Sequence, residues 1–228
     1  MHDEERRRRQ LLSYLAASAG LGAAGVSGWI SQALASGDLP ATPGVNRLEG
    51  TATVNGKSAK VGTPVEMGDR VATGPGSQAV IVLKGDAFLM RSQTVIEVQG
   101  RDGVLSSLLI GTGKVLSVFA KKPVSVRAAN ATIGIRGTGA YLEVEAKSVY
   151  FCLCYGEADV AGPGMAGVRN VKTEHHEQPL TLREDGGVMR VEPGPFQNHS
   201  DDELILLESL VGRQPPFMKD GRYPLNKY

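Results

Sequence analysis

The segment Val149-Tyr150-Phe151-Cys152-Leu153-Cys154-Tyr155-Gly156 places the chain's two cysteines two positions apart. Side chains at i and i+2 of a β-strand share a face. Cys152, Cys154 and Tyr150 therefore share one face, and Val149, Phe151, Leu153 and Tyr155 line the other. A bond between the two thiols would be strained, because strand residues two apart lie near the upper Cα limit for a disulfide. His175 and His176 follow in Thr173-Glu174-His175-His176-Glu177, and His199 stands in Asn198-His199-Ser200-Asp201. Thiolates and imidazoles are the ligands of tetrahedral Cys₂His₂ sites. Cys152, Cys154, one of His175 and His176, and His199 thus form a candidate site for Zn or Fe. Adjacent residues of a strand face opposite sides, so only one of the paired histidines is expected to join. The competing reading makes the cysteines small buried hydrophobes and the histidines surface residues, with no cofactor. No C-x₂-C…C-x₂-C spacing marks a metal site.

Other chemistry is weakly represented. Gly111-Thr112-Gly113-Lys114 is not a phosphate loop: Gly is absent five positions before Gly113, and Val115 replaces the Ser or Thr. There is no Gly-x-Ser-x-Gly elbow. Glu143 and Glu145 share a strand face and read as a solvated edge. The chain has 25 Lys+Arg against 24 Asp+Glu, and aromatics are 5%. Neither a basic patch nor base-stacking platforms are available, so a nucleic-acid partner is not expected. No catalytic residues are assigned, and an enzyme is not expected.

The elements that would position these residues come after an export signal. Arg6-Arg7-Arg8-Arg9 precedes a charge-free stretch from Gln10 to Gly37, with its apolar part over Leu11–Ala35. A basic region, an apolar region and a small-residue site at Ala33-Leu34-Ala35 are the parts of a signal peptide over 1–35. Arg8-Arg9-Gln10-Leu11-Leu12 resembles the twin-arginine pattern. The alternative is an uncleaved inner-membrane anchor. Both place the remainder in the periplasm. Removing residues 1–35 leaves 21 charges of each sign.

Residues 36–46 read as a Pro- and Gly-containing linker. Over 47–192, short β-branched runs such as Val80-Ile81-Val82-Leu83 and Thr94-Val95-Ile96-Glu97-Val98 alternate with turn signals. That pattern predicts an all-β domain, a sandwich or short β-solenoid of about 12–15 short strands. The extension 193–228 carries one C-terminal α-helix over about 200–211. Ser200-Asp201-Asp202-Glu203 spells a capping box, Leu204, Leu207 and Leu210 form a stripe, and Gly212 with Pro215-Pro216 stops it.

Two glycine-marked segments carry a family resemblance. Gly68-Asp69-Arg70-Val71-Ala72-Thr73-Gly74-Pro75-Gly76-Ser77-Gln78-Ala79 resembles the G-D-x-V-x-T-G-x-x-S-x-A core of the FecR family, the exported domain of ferric-siderophore uptake regulators. Pro123-Val124-Ser125-Val126-Arg127, followed by Ala131-Thr132-Ile133-Gly134-Ile135-Arg136-Gly137-Thr138-Gly139, is similar to that family's second motif. Together they cover roughly residues 48–161. Ala128-Ala129-Asn130 departs from the family's usual Thr-Pro, and Gly85-Asp86-Ala87 from Asp-Gly-Ser. The resemblance implies that Gly68, Asp69, Thr73, Gly74, Ser77, Gly134, Arg136, Gly137 and Thr138 form a structural motif. Arg136 is expected to be a buried or half-buried guanidinium that bonds an acceptor or reads a ligand. Only about nine residues precede the apolar stretch, too few for the family's sigma-binding segment. The expectation is therefore a free-standing envelope module for binding, sensing or scaffolding, with an envelope protein or periplasmic ligand as partner and a link to iron-uptake signalling. The alternative is a periplasmic metal- or haem-associated protein.

A chain lacking residues 1–35 should stay in the cytoplasm on cell fractionation. Continued export would contradict the targeting assignment.

Overall fold

The computed structural model describes residues 40–218. The signal read over 1–35, with its Arg cluster, lies outside the described residues. The first strands are β1 (Gly44–Glu49), β2 (Ala52–Val54), β3 (Lys57–Ser58), β4 (Arg70–Thr73), β5 (Gln78–Leu83), β6 (Asp86–Met90), β7 (Val95–Arg101) and β8 (Val104–Val118). There follow β9 (Pro123–Ala128), β10 (Ala131–Arg136), β11 (Gly139–Glu145), β12 (Ser148–Ala161), β13 (Arg169–Thr173), β14 (Leu180–Asp185) and β15 (Val188–Pro193). One helix, α1 (Asp201–Leu210), closes the described chain. The architecture is all-β with a C-terminal helix. Strand β1 begins inside the segment read as a linker, and Val45 is buried.

The strands form two layers that share two long members. The first layer runs β1-β5-β6-β8-β11-β12-β14-β15. The second runs β3-β2-β4-β7-β8-β9-β10-β12-β13. Every pairing is antiparallel except β8 with β9. The sequence pattern predicts short strands, but β8 and β12 have 15 and 14 residues. Each turns from one layer into the other at a glycine with positive φ, Gly113 at +95° and Gly156 at +99°. A side chain there would meet backbone at Thr94, 2.5 Å from its Cα, or the Thr138 methyl at 2.7 Å. Gly111-Thr112-Gly113 thus bends a continuous strand, because the ladder passes to new partners as it turns.

Strand alternation splits the apolar residues into two cores. The inner faces of both layers bury Ile81, Phe88, Ile110, Val126, Ile133 and Phe151. The outer face of the first layer buries Val80, Val82, Leu89, Leu116 and Tyr141 beneath α1. Strands β5 and β6 are therefore buried on both faces, which explains their unbroken apolar runs.

Ser200 caps α1: its Oγ accepts from Glu203 N, and the Glu203 carboxylate accepts from Ser200 N at 3.0 Å. Arg91 Nη2 donates to both Glu203 oxygens at 2.8 and 3.0 Å. At the other end, Arg213 donates to Glu208 Oε2 and to Gly85 O, each at 2.6 Å. Gly212 follows the helix at φ +73°. The Leu stripe predicts a helix docked on one side. Instead every residue except Asp202 is buried, because Ala41, Phe196, Phe217 and Met218 pack against the same cluster. Among the described residues, no helix is long and apolar enough to cross a membrane.

Most of the motif glycines and hydroxyls serve turns. Asp69 accepts from Asn55 Nδ2 at 2.7 Å and Glu66 N at 2.8 Å. Thr73 Oγ1 accepts from Thr94 N, and Ser77 Oγ accepts from Thr51 N, both at 2.9 Å. Gly68 and Gly137 adopt positive φ, Gly74 N donates to Thr51 O, Gly134 on β10 pairs with Ser125 of β9, and Thr138 is buried. Arg136 corrects an expectation. It ends β10 exposed beside Pro123, so its guanidinium has no burial to compensate.

Leu207, fully buried between α1 and the sheet, should cost about 2–5 kcal/mol when changed to Ala. Denaturant midpoints measure this, and a loss below about 1 kcal/mol would contradict the docking described.

Candidate metal centre

A β-bulge builds the cysteine pair. Gly139 pairs with Tyr155 and Ala140 with Leu153, so Cys154 is the extra residue on β12. Simple alternation would put Tyr155 with Val149, Phe151 and Leu153. The bulge moves it instead into the helix-covered cluster with Tyr150, Cys152 and Cys154. There its hydroxyl donates to Glu208. Cys152 and Cys154 are both free thiols and fully buried.

The bulged carbonyl needs a donor, and the loop after β13 supplies one. His176 N donates to Cys154 O at 3.0 Å. Thr173 Oγ1 holds the loop to Leu153 O at 2.9 Å, and the Glu177 carboxylate accepts from Glu174 N and His175 N. The two histidines are not on a strand, and His176 adopts φ +61°. Strand alternation therefore does not separate them. Both rings turn inward and are buried. His176 joins the cysteines, while His175 sits to one side, its Nε2 2.9 Å from both Asp201 oxygens. His199 comes from the lead-in to α1, its ring stacked on Tyr141 at 4.5 Å.

Four side chains converge. Ligand atoms of Cys152, Cys154, His176 and His199 lie within 4.8 Å of one another, all buried. Cys152 Sγ is 3.5 Å from His176 Nδ1, and His199 Nε2 is 3.3 Å from that same nitrogen. Zn–N bonds of about 2.05 Å and Zn–S bonds of about 2.3 Å give tetrahedral edges of roughly 3.3 Å for N–N and 3.5 Å for N–S. The two pairs made by His176 Nδ1 match these edges, and all four ligand atoms lie close enough for one ion to draw them together. The tautomers suit as well. Gln197 O, 2.7 Å from His199 Nδ1, is an acceptor only, so Nδ1 carries a proton and Nε2 is the nitrogen turned to the cluster. Asp201 Oδ1, 3.0 Å from His176 Nε2, fixes that ring in the same way and leaves Nδ1 facing the sulfurs.

The groups of the cluster shift one another's proton affinities. Hydrogen bonding from Cys154 holds the Cys152 thiol well below its usual range, with His176 and His199 assisting against burial. Burial pushes Cys154 up, and the neighbouring Cys152 thiolate adds to the rise. Burial disfavours the His176 imidazolium, but Asp201 and Cys152 outweigh it and raise the ring to about 9. Beyond the cluster, Glu143 is not simply solvated. It accepts from Tyr141 Oη at 2.9 Å and Asn198 Nδ2 at 2.6 Å, and Lys114 lies at 3.3 Å. Burial opposes its charge, but these donors win and lower its pKa.

Asp201 and Tyr141 were not legible as site residues. Asp201 stands in a capping-box spelling, and its closeness to His199 is the one signal that it faces the cluster.

No protein-family model matches this sequence, and no curated protein matches it. Two crystal structures of a candidate anti-sigma factor from Parabacteroides distasonis ATCC 8503 are similar in fold, with TM-scores of 0.46 and 0.45 at 13% and 14% identity. Each match covers 54% of this chain and 59% of the other. The FecR resemblance thus stands on its motif residues.

Near neutral pH, Cys152 is already a thiolate, whereas Cys154 and His176 hold protons that an ion must displace. Zn²⁺ uptake should release about two protons per ion, measured by calorimetry in buffers of different ionisation enthalpy. Apparent affinity should rise steeply with pH up to about 9, where His176 deprotonates unaided, and more gently above it, where only the Cys154 proton remains to be displaced. Uptake without proton release would contradict this protonation pattern.

Proposed function

We propose that this chain is a non-catalytic module of the cell envelope that holds one transition-metal ion, Zn²⁺ by preference, between its sheet and its C-terminal helix. One observation carries the reading: Cys152, Cys154, His176 and His199 are buried with their ligand atoms within 4.8 Å of one another. Two thiolates and two imidazoles suit Zn²⁺, with Fe as the alternative. Four protein ligands leave no open position for water or substrate, which fits a structural or sensing role and not catalysis. The ligands come from β12, the β13–β14 loop and the lead-in to α1, so the ion would join three chain segments.

Export to the periplasm by the twin-arginine route belongs to this reading, since that route carries folded, metal-loaded proteins. The FecR-like segments supply the β scaffold. Most of their residues lock turns, so a link to iron-uptake signalling rests on motif spacing alone.

The purified chain should contain about one metal ion. Chelation should lower Tm by about 10 °C, the size expected for an ion bound some thousandfold above its dissociation constant. Cys152→Ser should match the chelated protein and lose the chelator response. No stoichiometric metal, together with a Tm indifferent to chelator, would overturn the proposal.

A further inference from the structure

The metal reading leaves one buried carboxylate unexplained. Asp201 is the first residue of α1 and is 4% exposed. The helix cap does not need it: Ser200 and Glu203 complete the capping box, and Arg91 holds Glu203. Its oxygens lie 2.9 Å from His175 Nε2 and 3.0 Å from His176 Nε2. His176 is the ring whose other nitrogen faces Cys152 and His199.

We infer that Asp201 is a positioning residue of the metal centre, acting through His176, and that His175 in turn holds Asp201. The inference rests on the metal reading above. A metal-bound imidazole donates its remaining N–H to a carboxylate or carbonyl, which fixes its orientation and raises its basicity. Asp201 stands where His176 Nε2–H needs that acceptor. His199 has its own in Gln197 O. The two imidazoles are thus oriented by different kinds of group, one by a carboxylate and one by a backbone carbonyl. His175 sits against Asp201 from the far side and stacks on Phe217 at 4.3 Å. It belongs to the support and not to the ligand set.

This arrangement also makes the helix part of the centre. Asp201 and His199 flank the N-cap Ser200, so one short stretch supplies a ligand, the cap and the outer carboxylate. Movement of α1 would disturb His176 and His199 together. An alternative use of the same atoms is a second ion held by His175, His176 and Asp201, which also form a compact buried group.

The test titrates the full chain and its Asp201→Asn and Asp201→Glu variants with Zn²⁺ and Co²⁺. Wild type should bind one ion. Asp201→Asn should still bind one, about 10–100-fold more weakly, with shifted Co²⁺ visible bands and unchanged helix content by circular dichroism. Asp201→Glu should recover part of the affinity. Nitrogen NMR of Zn²⁺-loaded wild type gives a check free of any variant: His176 should be metal-bound through Nδ1, with a protected Nε2–H. Unchanged affinity and bands in Asp201→Asn, metal on His176 Nε2, or two ions per wild-type chain would each overturn the role of Asp201 while leaving a metal-binding chain. Failure of wild type to bind either ion would instead overturn the metal reading itself.

Discussion

Polar groups cannot enter a sheet–helix interface without partners, and the rest of this structure is arranged around that constraint. Much of the cluster beneath α1 is apolar, built from Val80, Leu89, Leu116, Leu204 and Leu207. Two thiols, three imidazoles and a carboxylate sit within reach of it. Each would be costly if left alone. They are tolerated because they face one another, with sulfur against imidazole and imidazole against carboxylate. An ion held there, as proposed, would satisfy four of them at once.

The backbone is shaped to deliver this set. Strand β12 runs along the helix-covered layer as far as Tyr155 and then bends at Gly156 into the other layer. The bulge at Cys154 lies immediately before that corner. It turns two successive side chains, Cys154 and Tyr155, to the outer face, and its carbonyl takes the His176 N–H. One irregularity thus sets the thiol pair, anchors the histidine loop and sends Tyr155 to Glu208 on α1. A regular strand would have done none of these.

Much of this was legible in the residues. β-branched runs and turn signals indicated an all-β chain, and Ser200-Asp201-Asp202-Glu203 marked a helix start. The i, i+2 rule put the cysteines on one face. The same rule misplaced Tyr155, because a bulge breaks period two and leaves no mark of its own in Cys-Leu-Cys-Tyr. It also gave the wrong reason for choosing between His175 and His176, which leave the strand before either is reached. Arg136 was expected to be buried or half-buried, but it ends β10 on the exposed side, and of Gly134 and Gly137 only the latter is closely approached, by Lys121. The long-range meeting of His199, Asp201 and β12 depends on where α1 docks, and local pattern cannot report it.

The turn glycines and the buried cysteine–histidine cluster answer to different demands. The glycines shape the sandwich, whereas the cluster ties the C-terminal helix to its outer face. Zinc-edge X-ray absorption on the chain purified from the cell envelope addresses that tie most directly. The account predicts about two sulfur neighbours near 2.3 Å and two imidazole nitrogens near 2.05 Å. A shell of light atoms alone, or no metal above trace level, would contradict it.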